Sequence, residues 1–263
     1  MANKFLNREE APITAAAWTL LDQTMLVTAK NYLSGRRILD IEGPFGLGLK
    51  AVALHDPDIS AGPVAAPVLP LAYMSRSFTI SKRDLAAFEK EGFLLDTKPV
   101  YAAAIECAKI EDDLIYNGAK DVPGLLSAKG AQQLKLSAWD DVGAAAEDLI
   151  KTVTMMDKAG FYGPYALALA PARYNLLLRR YQNGHHSELE HIKTIVTEGV
   201  VKAPAIESGG LLLATGKQYA SIILGQDMSI GFIGPVAEKL EFSITESITP
   251  YVREAKALCV LKD

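Results

Sequence analysis

A chain of 263 residues, 49% hydrophobic and 22% charged, is long enough to bury a substantial core in one large domain or two modest ones. Its net charge of -4 argues against a general nucleic-acid binder. No apolar run of about 18 residues marks a membrane span, and the N-terminal residues lack the apolar stretch of a secretory signal. Two cysteines, Cys107 and Cys259, are too few for a disulfide framework, so buried thiols in a cytoplasmic protein are expected.

In chain order, Trp18, Leu21, Met25, Ala29 and Tyr32 recur at steps of three and four, which predicts a helix from Thr14 to Leu33. Thr14 is its candidate N-cap and Gly35 its stop. From Gly43 to Pro70 the chain is dense in glycine and proline, which forbids a long helix and confines any strand to an edge or an irregular arm. Val52, Leu54, Ile59, Val64, Val68 and Leu69 lie in that stretch and need covering, which points to an arm packed on a second subunit. A second helix is predicted over Pro99 to Asn117, with Val100, Ala103, Ala104, Cys107, Ile110 and Leu114 buried and the acidic run Glu111, Asp112 and Asp113 solvated or facing an interface. Further helices are predicted over 140–159, 171–181 and 190–198, with a short apolar strand over 165–170.

Beyond Gly210 the signal becomes β. Short apolar runs fall at 211–214, 221–224 and 257–261, and Leu240, Phe242 and Ile244 alternate with Glu241, Ser243 and Thr245. The order lacks regular βαβ alternation, so the fold class is α+β.

Candidate chemistry is sparse. His185, His186 and His191, with Glu188 and Glu190 among them, are the best metal candidate, a cluster that a metal-dependent hydrolase would use. Their gaps of five and six residues miss the helical pattern of two histidines four apart, so no metal is expected. The glycines at 43, 46 and 48 follow no phosphate-cradle pattern. Neither cysteine has an evident His partner, and no nucleophile elbow is present. The chain is read as a non-enzyme.

Several phrases together resemble the shell proteins of encapsulin nanocompartments. They are Phe5-Leu6-Asn7-Arg8 with Ala11-Pro12-Ile13-Thr14 and Trp18; Gly35-Arg36-Arg37-Ile38-Leu39-Asp40-Ile41-Glu42-Gly43-Pro44-Phe45-Gly46; Phe78-Thr79-Ile80; and Ile110 to Gly118. Gly163-Pro164-Tyr165-Ala166-Leu167, Leu224 to Phe232 and Thr245-Glu246-Ser247 continue the match in order. The resemblance implies the tailed-phage major-capsid-protein fold, with a peripheral domain (1–47, 75–123 and 236–263), an extended arm (48–74) and an axial domain (124–235). It implies self-assembly into a closed icosahedral shell of about sixty copies. It also implies a cargo enzyme docked through a short C-terminal tail, with a ferritin-like protein and a dye-decolourising peroxidase as the candidates.

By position, the resemblance assigns Met25, Arg36, Asp40, Ile41, Asp227 and Ile230 to the cargo groove, core packing being the alternative role for Met25, Ile41 and Ile230. It places Gly184, His185, His186, Ser187 and Glu188 on the five-fold pore loop. That loop departs from the family wording, being one residue longer and without its proline, and histidines there would titrate between about pH 5 and 8. Ser81-Lys82-Arg83-Asp84 lacks the tryptophan with which some relatives hold a flavin, so no cofactor is carried over. A phage or prophage capsid protein packaging DNA is the alternative within the same fold.

Overall fold

The computed structural model describes residues 4–55, 65–182, 184 and 186–263. In chain order it contains α1 (Ala15–Tyr32), β1 (Asp40–Glu42), β2 (Ala51–Ala53), β3 (Val68–Pro70), β4 (Ala72–Ser81), α2 (Lys82–Glu91), α3 (Lys98–Tyr116), β5 (Gly118–Ala119), β6 (Val122–Pro123) and β7 (Gln132–Lys135). There follow α4 (Ala144–Lys158), β8 (Tyr165–Leu169), α5 (Pro171–Leu176), α6 (Glu188–Ile195), β9 (Val200–Lys202), β10 (Gly210–Ala214), β11 (Ala220–Val236), β12 (Lys239–Val252) and β13 (Leu258–Lys262). The α+β expectation holds. No described helix is long and apolar enough to cross a membrane.

Two sheets organise the chain. One has the order β1-β11-β12-β4, antiparallel except for the β1–β11 pair. The other has the order β7-β13-β10-β8-β9. The pairing crosses the segment boundaries expected from the resemblance. β11, expected in the axial segment, pairs along most of its length with β12 and shares a sheet with β4. β13, expected in the peripheral segment, lies between β7 and β10 in the second sheet. A tight β11–β12 connection folds the two strands into one hairpin, so a boundary at 235/236 falls inside one hydrogen-bonded unit.

Each sheet is covered by helices along its apolar face. Against the first, α1, α2 and α3 bury Leu21, Met25, Leu85, Val100 and Cys107 with Phe78, Ile80, Ile230 and Phe242. Phe242 is the hub of this core. Its ring lies edge-on to Trp18 at 5.6 Å and stacks on Phe78 at 5.5 Å, with Phe232 also at 5.5 Å. The second sheet packs with α4 and α6 through Leu149, Met156, Ile192, Leu167, Leu212 and Leu258. Both cysteines are buried in these cores, and burial pushes each thiol up to about 12.

Helix limits follow local chemistry. Thr14 Oγ1 accepts from Ala17 N and caps α1. α4 starts at Ala144 rather than 140 because Gly143 takes a left-handed conformation just before it. α5 stops at Leu176, well short of the expected 181. α2, which the apolar spacing does not announce, starts from Ser81, whose Oγ accepts from Asp84 N. β11 runs 17 residues where sequence alone shows only its first apolar stretch; register shifts after Leu224, Gln226 and Phe232 break its alternation.

The expected arm contains the β2–β3 hairpin, tied by Leu54 N to Pro67 O at 2.9 Å and Leu71 N to Lys50 O at 2.9 Å. Leu69 is buried by the chain itself, whereas Val68 and Tyr73 stay exposed. Ile59 and Val64 lie outside the described residues.

Truncating the aromatic hub tests this packing. Phe242→Ala is expected to cost about 3–5 kcal/mol, lowering the Tm by about 10 °C, whereas Phe242→Leu costs much less. Thermal unfolding followed by circular dichroism reads both.

Candidate functional site

After α1, Leu33 leaves the helix and Gly35–Arg37 makes a single 3-10 turn. Asp112 of α3 fixes that turn. Its carboxylate accepts from Ser34 N (2.9 Å), Gly35 N (3.0 Å) and Ser34 Oγ (2.7 Å). Gly35 lets the turn approach α3 closely: a Cβ there would lie 2.8 Å from Ile115 Cδ1, so a larger residue would displace that side chain.

The turn aims Arg36 into a cluster of carboxyls from three elements. Arg36 Nε and Nη2 donate to Glu111 of α3 at 2.6 and 3.0 Å, and Nη1 donates to Asp227 of β11 at 2.9 Å. Nη2 also donates to Glu246 of β12. Glu111 and Glu246 are fully buried, whereas the Asp227 side chain is 54% exposed. The expected solvated acidic run is thereby corrected. Glu111 and Asp112 point inward because one neutralises a buried guanidinium and the other caps a buried turn. Burial opposes the charged guanidinium, but the hydrogen bond and attraction of Glu111, then Glu246 and Asp227, hold its pKa above the ordinary value. Burial raises Glu111 despite Arg36. Burial and the like charge of Glu111 hold Glu246 well above the usual carboxylate range.

Beside the cluster a cleft of about 420 Å³ opens between α1 and β11. Met25, Leu26, Ala29, Leu33, Ile41 and Met228 supply its apolar wall, and Lys30, Arg36, Arg37 and Asp227 its charges. Four of the six expected groove residues therefore converge: Met25, Arg36, Ile41 and Asp227. Asp40 does not join them; it lines a neighbouring cleft with Arg37, Pro164, Glu198 and Thr215. Ile230 is fully buried in the core behind β11, out of reach of a ligand. Lys30, Arg37 and Met228 escaped sequence reasoning, although Lys30 sits one turn from Met25 and Leu26 on the same helix.

The expected pore loop divides in two. Gly184 and His186 line a wide cleft of about 1010 Å³ with Asp140, Tyr181, Glu190 and His191, and the His186 side chain is 79% exposed. Ser187 and Glu190 form a capping box at the start of α6. Glu188, however, is buried and faces away from solvent. Its Oε1 accepts from Gly143 N (2.9 Å) and Ala146 N (3.2 Å) at the start of α4, where the helix dipole favours an anion. It is an internal tether, so its assignment to the pore lining is corrected. His191 Nδ1 pairs with Tyr181 OH at 2.9 Å. His185 lies outside the described residues, and among the described residues no three His, Cys, Asp or Glu side chains converge to hold a metal.

A family model described as an encapsulating protein for peroxidase matches residues 3–249. A type 1 encapsulin shell protein of Rhodococcus erythropolis is 31% identical, over 97% of this chain and 98% of the relative. The type 1 encapsulin shell protein of Myxococcus xanthus is 27% identical, over 98% and 96%. Among solved structures, the virus-like particle of Pyrococcus furiosus superposes with a TM-score of 0.76 at 22% identity, covering 92% of this chain and 98% of that one. The capsid of the myovirus phage XM1 superposes at 0.60 with 12% identity, covering 85% and 88%. The fold is therefore that of the tailed-phage capsid proteins.

The buried carboxyls make stability pH-dependent with a definite sign. Folding raises the values of the Glu111–Glu246 pair, so the folded chain keeps a proton that the unfolded chain loses above about pH 4.5. Its contribution to stability falls as pH rises from there, by at most about 1.4 kcal/mol for each pH unit per retained proton. Glu246→Gln is expected to flatten that slope and raise the Tm at pH 8 relative to wild type. Arg36→Met removes the cation from both buried carboxyls and is expected to cost about 3–5 kcal/mol. Thermal melts from pH 5 to pH 8 compare the three proteins.

Proposed function

Because the chain belongs to the family of encapsulin shell proteins, structural subunits that assemble into closed icosahedral compartments, we propose that its α1–β11 cleft docks the C-terminal tail of a cargo enzyme. The observation that carries this reading is the convergence of Met25, Arg36, Ile41 and Asp227 on one cleft, with an apolar wall for aliphatic anchors and charges at its rim. The shell is non-catalytic, and the reaction belongs to the cargo, a ferritin-like protein or a dye-decolourising peroxidase. The assembly works in the cytoplasm.

In this reading residues 48–74 form the arm and the four-stranded sheet with α1, α2 and α3 forms the peripheral domain. The axial domain is built on the five-stranded sheet and includes β13. Neighbouring copies cover side chains that a lone subunit leaves bare, such as Phe93, Leu94 at 99% exposed, Tyr162 at 80% and Tyr73. Many modest contacts then sum to a stable particle.

Electron microscopy and mass spectrometry of the purified particle test the assignment. Small shells containing one co-purifying protein support it; larger heads filled with DNA support instead a phage or prophage capsid. Leu26→Asp with Ile41→Asp places charges on the half-exposed cleft wall and is expected to yield intact shells from which that protein is missing. Shells that retain it rule out the cleft as its dock.

The loop carrying Gly184, His186 and Ser187 lines the five-fold pore, and imidazole as a side-chain type changes charge between about pH 5 and 8. Metal-ion entry into purified shells is expected to slow on acidification from pH 8 to pH 5.5, and His186→Gln to lessen the effect. Equal rates at the two pH values overturn this part of the reading.

A further inference from the structure

The charges lining the α1–β11 cleft are not equivalent. Arg36 is committed to Glu111, Glu246 and Asp227. Lys30 and Arg37 lie on the other side, at the C-terminal end of α1. Arg37 Nη2 donates to the carbonyls of Lys30 (2.8 Å) and Asn31 (3.3 Å), which holds the guanidinium against the last turn of the helix. Among the described residues neither Lys30 nor Arg37 forms an ion pair with a carboxylate. One lip of the cleft therefore carries the Arg36–Asp227 ion pair, and the other carries two cations beside an apolar wall.

We propose that the docked tail carries a carboxylate that Lys30 and Arg37 bind while its aliphatic anchors lie against Met25, Leu26 and Ile41. The proposal rests on the reading of this cleft as a tail-docking groove and adds what kind of tail it selects. The carboxylate comes from the C-terminus of the tail itself or from an acidic side chain beside the anchors; both present the same group to a lysine and an arginine. The asymmetry of the lips also fixes direction. A tail laid the opposite way brings its carboxylate to Asp227, whose charge Arg36 already engages, and finds no uncommitted cation there. The competing account is that Lys30 and Arg37 only complement the negative end of the α1 dipole, and that account predicts no preference among tails.

Labelled decapeptides of Gly and Ser, with Leu and Ile anchors two residues apart on one face of an extended chain, separate these accounts by fluorescence anisotropy on purified shells. Three forms are compared: the free acid, the C-terminal amide, and an amide with one Glu next to the second anchor. The free acid, the Glu-bearing amide or both are expected to bind about three- to tenfold more tightly than the neutral amide, with the gap closing at high salt. Which of the two is favoured identifies the source of the carboxylate. Lys30→Gln, at an exposed position, is expected to shrink the preference below about twofold without weakening the neutral amide, and Lys30→Arg to restore it. Equal binding of all three forms by wild-type shells overturns the carboxylate inference and leaves docking standing. A preference that survives Lys30→Gln overturns the assignment to this lip. Absence of binding by any form overturns the docking reading, and the inference with it.

Discussion

One guanidinium holds together segments that the sequence keeps far apart. Arg36 reaches Glu111, Asp227 and Glu246, which lie 75, 191 and 210 positions away. Its three partners stand on the long helix α3 and on both strands of the β11–β12 hairpin. A single positive charge among three carboxyls would be an unfavourable arrangement if all three were ionised at low dielectric. Proton retention by the buried pair resolves the conflict and leaves the exposed Asp227 as the partner that faces the cleft. Such a network adds little net stability compared with an apolar plug of the same shape. Its directional bonds instead fix the 3-10 turn, the helix and the hairpin relative to one another.

That fixed geometry suits a wall element. The cleft beside Arg36 has a stiff floor because Arg36 ties α3, β11 and β12 together beneath it, while Leu26 of α1 remains exposed on its apolar wall. A preorganised groove loses little conformational freedom on binding, which is what the proposed docking of a short tail requires. The rest of the chain follows the same division. Aromatic packing around Phe242 joins α1 to three strands of one sheet, whereas Phe93, Leu94 and Tyr162 leave apolar surface exposed on the lone subunit.

The sequence was most legible where one element acts alone. The helix α1 and its Thr14 cap appear in the structure close to their expected limits, and the alternation over Leu240–Thr245 lies within β12, which continues to Val252. It was least legible where a residue answers to a partner distant in the chain. Glu111 follows Cys107 by one helical turn and so lies on the buried stripe of α3, yet its acidity argued for solvent. Glu246 shares the inward parity of Leu240, Phe242 and Ile244, a signal that pattern alone already contained. Neither placement makes sense before Arg36 is known to come between them. Register shifts likewise concealed most of β11, and the burial of Ile230 shows that a position within a matching phrase need not face the groove.

Glu188 deserves a different emphasis from the residues just before it. Because its carboxylate is locked to the first turn of α4 while its own N–H and that of Leu189 donate to Arg179 O and Leu177 O, the start of α6 is moored from two directions. A change of sequence or length before Ser187 can then be absorbed without shifting the helix that follows.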